Sequence, residues 1–366
     1  MRCTGTQRIL QLVVFSILAG GFVMCAHTEN GDELPFERVR DDAAESGFNS
    51  DTTERLRESI PELGNAWSAD ARSDYEAYRR HWQFALDAET LAAGLVRTGT
   101  DDTVFVQVLR SVENGAPDAP VAFFVHGYLD HTPTNRYAIE ALLDAGITVI
   151  TMDLPGHGLS SGRRAYIDDF EQYAQAVEQT LEAVEQSGIL GSDRLSGLTG
   201  IAHSTGASAL LEHTEQFGNR FTRMVFAAPL IRVFAFPILE AGADIVGQIV
   251  DQLPDRISGS TTNDAYIEFA EKHDTLKIRH TDLEWFQAYL RWEESLQQIA
   301  EQDTPLLLIL AGDDTVVAND YNEEFLRRVF TDIRVIEVEN IRHSVFTEAA
   351  VINGTVLAEM LGFVLD

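Results

Sequence analysis

Six short, mostly apolar runs recur along the chain with helix-length stretches between them: Val121 to Val125, Ile147 to Met152, Leu198 to Ala202, Met224 to Ala227, Pro305 to Leu310 and Val335 to Val338. A run that is apolar at most positions, rather than at every second one, has both faces to bury. Strands of that kind alternating with helices specify a mostly parallel, doubly wound α/β sheet covered by helices on both sides. Ahead of them, Leu91 to Arg97 and Thr103 to Arg110 are β-type runs joined by Thr-Gly-Thr-Asp-Asp, the pattern of a hairpin, which brings the expected sheet to about eight strands. The stretch Trp67 to Phe84 has the spacing of a polar, partly amphipathic helix.

With 45% hydrophobic residues in 366, the chain has the apolar material for one large core. Its 58 Asp and Glu against 27 Lys and Arg give a net charge of −31, a surface that repels a phosphate backbone, so nucleic acid is excluded as a partner. Lysine occurs only at Lys272 and Lys277, and such an acidic, lysine-poor balance suits a salty habitat. The two cysteines, Cys3 and Cys25, both fall in the first thirty residues, so no disulfide is expected within the folded body. Arg2 and Arg8 followed by the apolar run Ile9 to Met24 make residues 1–26 a signal for export to the periplasm or medium, cleaved after Ala26, or else an N-terminal membrane anchor or a lipidation site at Cys25. Residues 27–65 are acidic with Gly, Asn and Ser punctuation and read as a mobile linker. The rest, 66–366, carries no second segment of about 18 apolar residues and is expected to form one soluble body.

Chemistry gathers where the apolar runs end. In Phe123-Phe-Val-His-Gly-Tyr a buried strand meets His126-Gly127, and Gly127 permits a sharp turn that aims a following N–H into a cavity. The loop Met152-Asp-Leu-Pro-Gly-His-Gly-Leu-Ser-Ser-Gly is dense in Gly and Pro, and Asp153 and His157 within it read as parts of a tight connection. Ala202-His-Ser-Thr-Gly, between a small apolar strand and a helix starting near Thr205, fits a nucleophile elbow. A serine on that strained turn leaves no room two positions away on either side, so residues 202 and 206 must be small. Ser204 also stands at a helix N-terminus, where orphan N–H groups favour developing negative charge. A serine hydroxyl needs a base, and the base a carboxylate that orients it. Leu306-Leu-Leu-Ile-Leu-Ala-Gly-Asp-Asp delivers two candidate aspartates, Asp313 and Asp314, to the end of a buried strand; resemblance to a known family pattern implies Asp314, which leads into Thr-Val-Val, as the acid. Val335 to Val338 is followed by a loop carrying His343. Ser204, Asp314 and His343, each just past a strand, stand in the order of an α/β-hydrolase triad.

At these residues the chain resembles the α/β-hydrolase superfamily and, within it, the lysophospholipase and monoglyceride lipase branch, which is also grouped with serine aminopeptidase-like hydrolases. The resemblance covers roughly residues 90 to 366. It implies an α/β-hydrolase fold with an inserted helical cap. It also implies an oxyanion hole formed by the N–H groups of Tyr128, after the His-Gly turn, and Thr205. The loop from Asp153 to Gly162 is similar to the branch's Gly-His-Gly-x-Ser loop, and Thr262 through Trp285 is similar to its cap. Ala202 and Ala207 stand where the branch carries glycines.

About 75 residues separate Pro229 from Pro305, too many for a simple crossover, so a cap at about 230–300 is expected. Phe234, Phe236, Ile238 and Leu239 are too densely apolar for a solvated helix; they form either a wall that receives an acyl chain or ordinary packing of the cap on the sheet. Trp285 to Trp292 has helical spacing suited to packing on the body. No metal or organic cofactor is expected, since the ten histidines and two cysteines show no ligand spacing. The chain is therefore expected to be a serine carboxylic-ester hydrolase acting on lysophospholipids or monoacylglycerols, with contact at a membrane surface as the one further partner. The alternatives are an amidase or aminopeptidase on the same fold, and a catalytically silent binding protein.

Overall fold

The computed structural model describes residues 46–99, 102–234, 236, 259–348 and 354–366, together with the backbone of 252–254. The export or anchor segment 1–26 and the first part of the acidic segment, 27–45, lie outside the described residues, as do Ile238 and Leu239 of the expected cap wall.

In chain order the elements are α1 (Ser50–Ser59), α2 (Ala69–His81), β1 (Ala88–Arg97), β2 (Thr103–Ser111), β3 (Val121–Val125), α3 (Arg136–Asp144), β4 (Thr148–Met152), α4 (Glu171–Ser187) and α5 (Ser192–Leu195). They continue with β5 (Thr199–His203), α6 (Thr205–Phe217), β6 (Arg223–Ala227), β7 (Gln252–Pro254), α7 (Asp264–Lys272), β8 (His280–Asp282) and α8 (Leu283–Ser295). The last are β9 (Leu306–Ala311), α9 (Asn319–Val329), β10 (Ile333–Val338) and α10 (Thr355–Leu365). Eight strands form one sheet in the order β1-β2-β4-β3-β5-β6-β9-β10, antiparallel across β1, β2 and β4 and parallel from β4 to β10, which is the α/β-hydrolase fold. β7 and β8 make a separate antiparallel pair inside the insertion between β6 and β9. Among the described residues no helix is long and apolar enough to cross a membrane.

Every residue of β3, β4, β5 and β9 is buried, as mostly apolar runs require of strands covered on both faces. Alternate side chains serve two cores. Phe123, Ile150, Ala202, Phe226 and Leu308 face one layer with α4, α6, α8 and α9. Phe124, Val149, Ile201, Val225 and Ile309 face the other, with α1, α2, α3, α7 and α10. β10 departs from the expectation of a strand buried on both faces, because it closes the sheet as an edge and leaves Arg334 and Glu337 exposed.

The linker reading also fails over 46–65. Asn49 caps α1 by accepting the Thr52 N–H at 3.1 Å, and Leu56 is fully buried in the core beneath α2. The acidic residues of this stretch lie on its solvent side and hide a narrow buried face of Thr52, Thr53 and Leu56. Further on, Leu63 lies so close to β1 that a Cβ at Gly94 would come within 2.7 Å of its backbone; the Leu63 N–H donates to Leu95 O at 2.9 Å and the Leu95 N–H donates to Pro61 O at 2.8 Å. Residues 46–65 are thus part of the body.

Candidate active site

Ser204 occupies the turn between β5 and α6 with φ 50° and ψ −119°, a left-handed conformation that a residue with a Cβ rarely adopts. The packing behind the turn holds it there. A Cβ at Gly206 would come within 2.4 Å of the Val125 carbonyl oxygen, and Ala202 is fully buried, so the two flanking positions are small for the steric reason expected. The Ser204 N–H donates to Ala227 O at 3.0 Å, which fixes the elbow to the adjacent strand β6.

The loop after β10 brings the His343 Nε2 to 2.9 Å from the Ser204 Oγ, while Nδ1 lies 2.8 Å from Asp314 Oδ2. Because a carboxylate only accepts, Nδ1 carries the proton and Nε2 offers its lone pair to the hydroxyl. The Asp314 side chain is wholly buried, and Oδ1 accepts the N–H groups of Val316 at 2.7 Å and Val317 at 3.0 Å. Burial pushes this carboxyl upward, but His343 and the two N–H groups outweigh it and hold the carboxyl below its usual range. Asp313 is exposed.

Gly127 abuts the elbow: a Cβ there would lie 3.1 Å from the Ser204 Cβ and 2.9 Å from His203 Nδ1, so the turn carrying Tyr128 rests against the serine. The Tyr128 hydroxyl donates to Ala165 O at 2.8 Å and accepts the Asp282 N–H at 3.2 Å, and its ring stacks on Trp285 at 3.7 Å. Thr205 is the first residue of α6, where an N–H has no partner within the helix.

Asp153 and His157 serve the connection. Asp153 accepts from the Thr132 N–H and hydroxyl and from the Leu159 N–H, and the His126 Nε2 accepts the Leu154 N–H at 2.9 Å. Of the apolar candidates in the insertion, Phe236 is buried edge-on against Tyr289 with the Arg232 guanidinium over its ring, while Phe234 is half exposed. Phe236 is thereby a packing residue, and Trp285 and Trp292 are likewise buried on the body.

The sequence reading passed over His203, although its place beside the nucleophile was a signal. Burial, with His343 nearby, pushes its pKa down to about 4, so the ring is neutral near pH 7, and its Nε2–H donates to the His343 carbonyl at 2.9 Å.

A mostly parallel eight-stranded sheet with this elbow at the carboxyl end of β5 defines the molecule as an α/β-hydrolase. The family described as serine aminopeptidase, S33, matches residues 116–350, and the chain belongs to it. Among its relatives, the phospholipase YtpA of Bacillus subtilis is 25% identical over 245 residues, covering 63% of this chain and 91% of its own. A monoacylglycerol lipase of Mycolicibacterium smegmatis is 23% identical over 238 residues, covering 62% of this chain and 82% of its own. Among solved structures, a monoglyceride lipase of Saccharomyces cerevisiae superposes with a TM-score of 0.61 at 18% identity, over 74% of this chain and 93% of that one, a likeness of fold. The chain is a serine hydrolase of the lipase and esterase type.

Proposed function

We propose that the protein hydrolyses carboxylic esters of lipid-like acyl chains, lysophospholipids or monoacylglycerols, with Ser204 as nucleophile, His343 as base and Asp314 as the acid that orients it. The observation that carries this reading is the unbroken relay from Asp314 Oδ2 through the imidazole to Ser204 Oγ, at 2.8 and 2.9 Å, on a strained elbow. Ser204 Oγ attacks the ester carbonyl carbon while its proton passes to His343 Nε2, and the N–H groups of Tyr128 and Thr205 receive the oxyanion. Collapse breaks the ester C–O bond, and His343 returns the proton to the departing alcohol. Water then attacks the acyl-enzyme with His343 again as base, releasing the acid and restoring Ser204. Preorganised donors at such a hole contribute about 3–4 kcal/mol each to the transition state. The lipid class is supported by the names of the phospholipase and monoacylglycerol lipase relatives.

The test is a panel of p-nitrophenyl esters of graded chain length, lysophosphatidylcholine, monoacylglycerol and aminoacyl anilides. Medium and long acyl esters are expected to exceed acetyl esters in kcat/KM. A preference for acetyl esters overturns the lipid class, and turnover of anilides alone overturns ester chemistry. Ser204→Ala is expected to abolish turnover and fluorophosphonate labelling with the melting temperature nearly unchanged.

A further inference from the structure

The segment after His343 runs Ser-Val-Phe-Thr-Glu, and its glutamate, Glu348, is completely buried. A buried carboxylate is tolerated only where donors saturate it. Here the donors come from two separate parts of the chain. The Glu348 oxygens accept the Thr262 N–H at 2.9 and 3.0 Å and the Thr262 hydroxyl, all from the insertion. Glu348 Oε1 also accepts the N–H of Arg342, the residue preceding His343, at 3.0 Å. Around it, Ser344 N–H donates to Ser260 O at 2.7 Å and Asn263 Nδ2 donates to Thr347 O at 2.8 Å, so the loop carrying His343 is stitched to residues 260–263 along its length. The opposite side of the same loop meets the elbow, through the His203 Nε2–H on the His343 carbonyl.

We propose that Glu348 is a positioning residue for His343, its carboxylate tying the loop that carries the base to the insertion at Thr262. This rests on the triad assigned above. The side chain of Glu348 touches neither Ser204 nor His343, and it acts through the Arg342 N–H. Removing it leaves that N–H and the Thr262 N–H without their acceptor and frees the loop to shift against a contact of 2.9 Å between base and nucleophile. A displacement of about 1 Å at such a contact costs on the order of a hundredfold in rate. The insertion thereby takes part in setting the base as well as in covering the sheet.

The experiment measures the second-order rate of labelling by a fluorophosphonate, in which Ser204 Oγ bonds to phosphorus and fluoride departs. It uses the full-length protein well below its melting temperature. Labelling needs the activated serine but no particular acyl substrate. Glu348→Ala is expected to slow labelling and kcat about ten- to a hundredfold, with KM changed less than about twofold. Glu348→Gln is expected to restore most of the rate. Its amide oxygen accepts the Arg342 and Thr262 N–H groups, and its NH2 donates to the Thr262 hydroxyl. Thr262→Val, which removes one hydroxyl only, is expected to slow labelling about two- to threefold, and it carries the test if Glu348→Ala does not fold. A merely structural carboxylate would lower the melting temperature and leave the rate of folded protein at the parental value; that result overturns the proposal, as does Glu348→Gln as slow as Glu348→Ala. A parent that fails to label refutes the triad instead, which separates the two failures.

Discussion

Two aspartates follow Gly312 side by side, and the structure separates them by burial and by partner. The Asp314 side chain is wholly enclosed and bonded to His343 and two backbone N–H groups, whereas Asp313 faces solvent. A carboxylate placed as Asp314 is fixes the imidazole tautomer and stabilises its protonated form; one placed as Asp313 is acts only through a screened field. Asp314→Asn is expected to lower kcat by roughly 10⁴-fold, the size of the corresponding loss in a serine protease, and Asp313→Asn by about tenfold at most. Steady-state kinetics on one ester decides it, and collapse in Asp313→Asn with normal activity in Asp314→Asn would reverse the roles.

Among the elements, α1 changes most between sequence and structure, since α2 falls within the expected helix Trp67 to Phe84 whereas α1 lies in the stretch read as linker. A ten-residue helix is marginal alone. It persists here because Leu56 enters the core shared with Tyr78, Phe105 and α10, and because its surroundings are tied down at several points. The Arg57 guanidinium donates to Gly158 O at 2.8 Å, the Thr53 and Thr275 hydroxyls meet at 2.8 Å, and the His81 Nε2 donates to His273 O at 2.9 Å. Leu56→Ala is expected to cost about 2–5 kcal/mol. Because the core is common, urea unfolding should show one cooperative transition shifted to lower urea. Two transitions, with only the first moved, would mark α1 and α2 as a separate unit.

For the whole molecule, buried histidines contribute to the loss of stability expected at low pH. His203, with a folded pKa of about 4 against 6.5 for the free side chain, is neutral in the fold, whereas the unfolded chain takes up its proton from about pH 6.5 downward. Its contribution is complete above 6.5 and is lost as pH falls toward 4, at up to about 1.4 kcal/mol per pH unit. His157, pushed well below its ordinary value by burial and the neighbouring His126, works in the same direction. His131 runs the other way. Burial pushes it down, but the buried Asp274, whose carboxylate lies 3.2 Å from its Nε2, outweighs that and raises it. Its contribution is complete below about 6.5 and fades as pH rises through the raised value. Melting temperature against pH is therefore expected to fall less steeply from pH 6.5 to 4 in His203→Gln than in the parent, and equal slopes would refute the assignment.

The order of strands and helices, the doubly wound sheet and the positions of Ser204, Asp314 and His343 were legible in the sequence because each depends on local pattern. Mostly apolar runs mark strands covered on both faces, and the steric demands of the elbow fall within five residues, from Ala202 to Gly206. What needed tertiary structure were the features set by neighbours distant in sequence. The edge position of β10 follows from the pairing order and not from its own composition. The helix α1 was hidden because its buried residues, Thr52, Thr53 and Leu56, include a single large apolar side chain and are interleaved with the exposed acids Asp51, Glu54 and Glu58, and only the surface formed by α2 shows which face counts. The neutrality of His203 and the double grip of Glu348 on Arg342 and Thr262 exist only once three loops converge, since burial and hydrogen-bond partners are properties of the assembled surroundings.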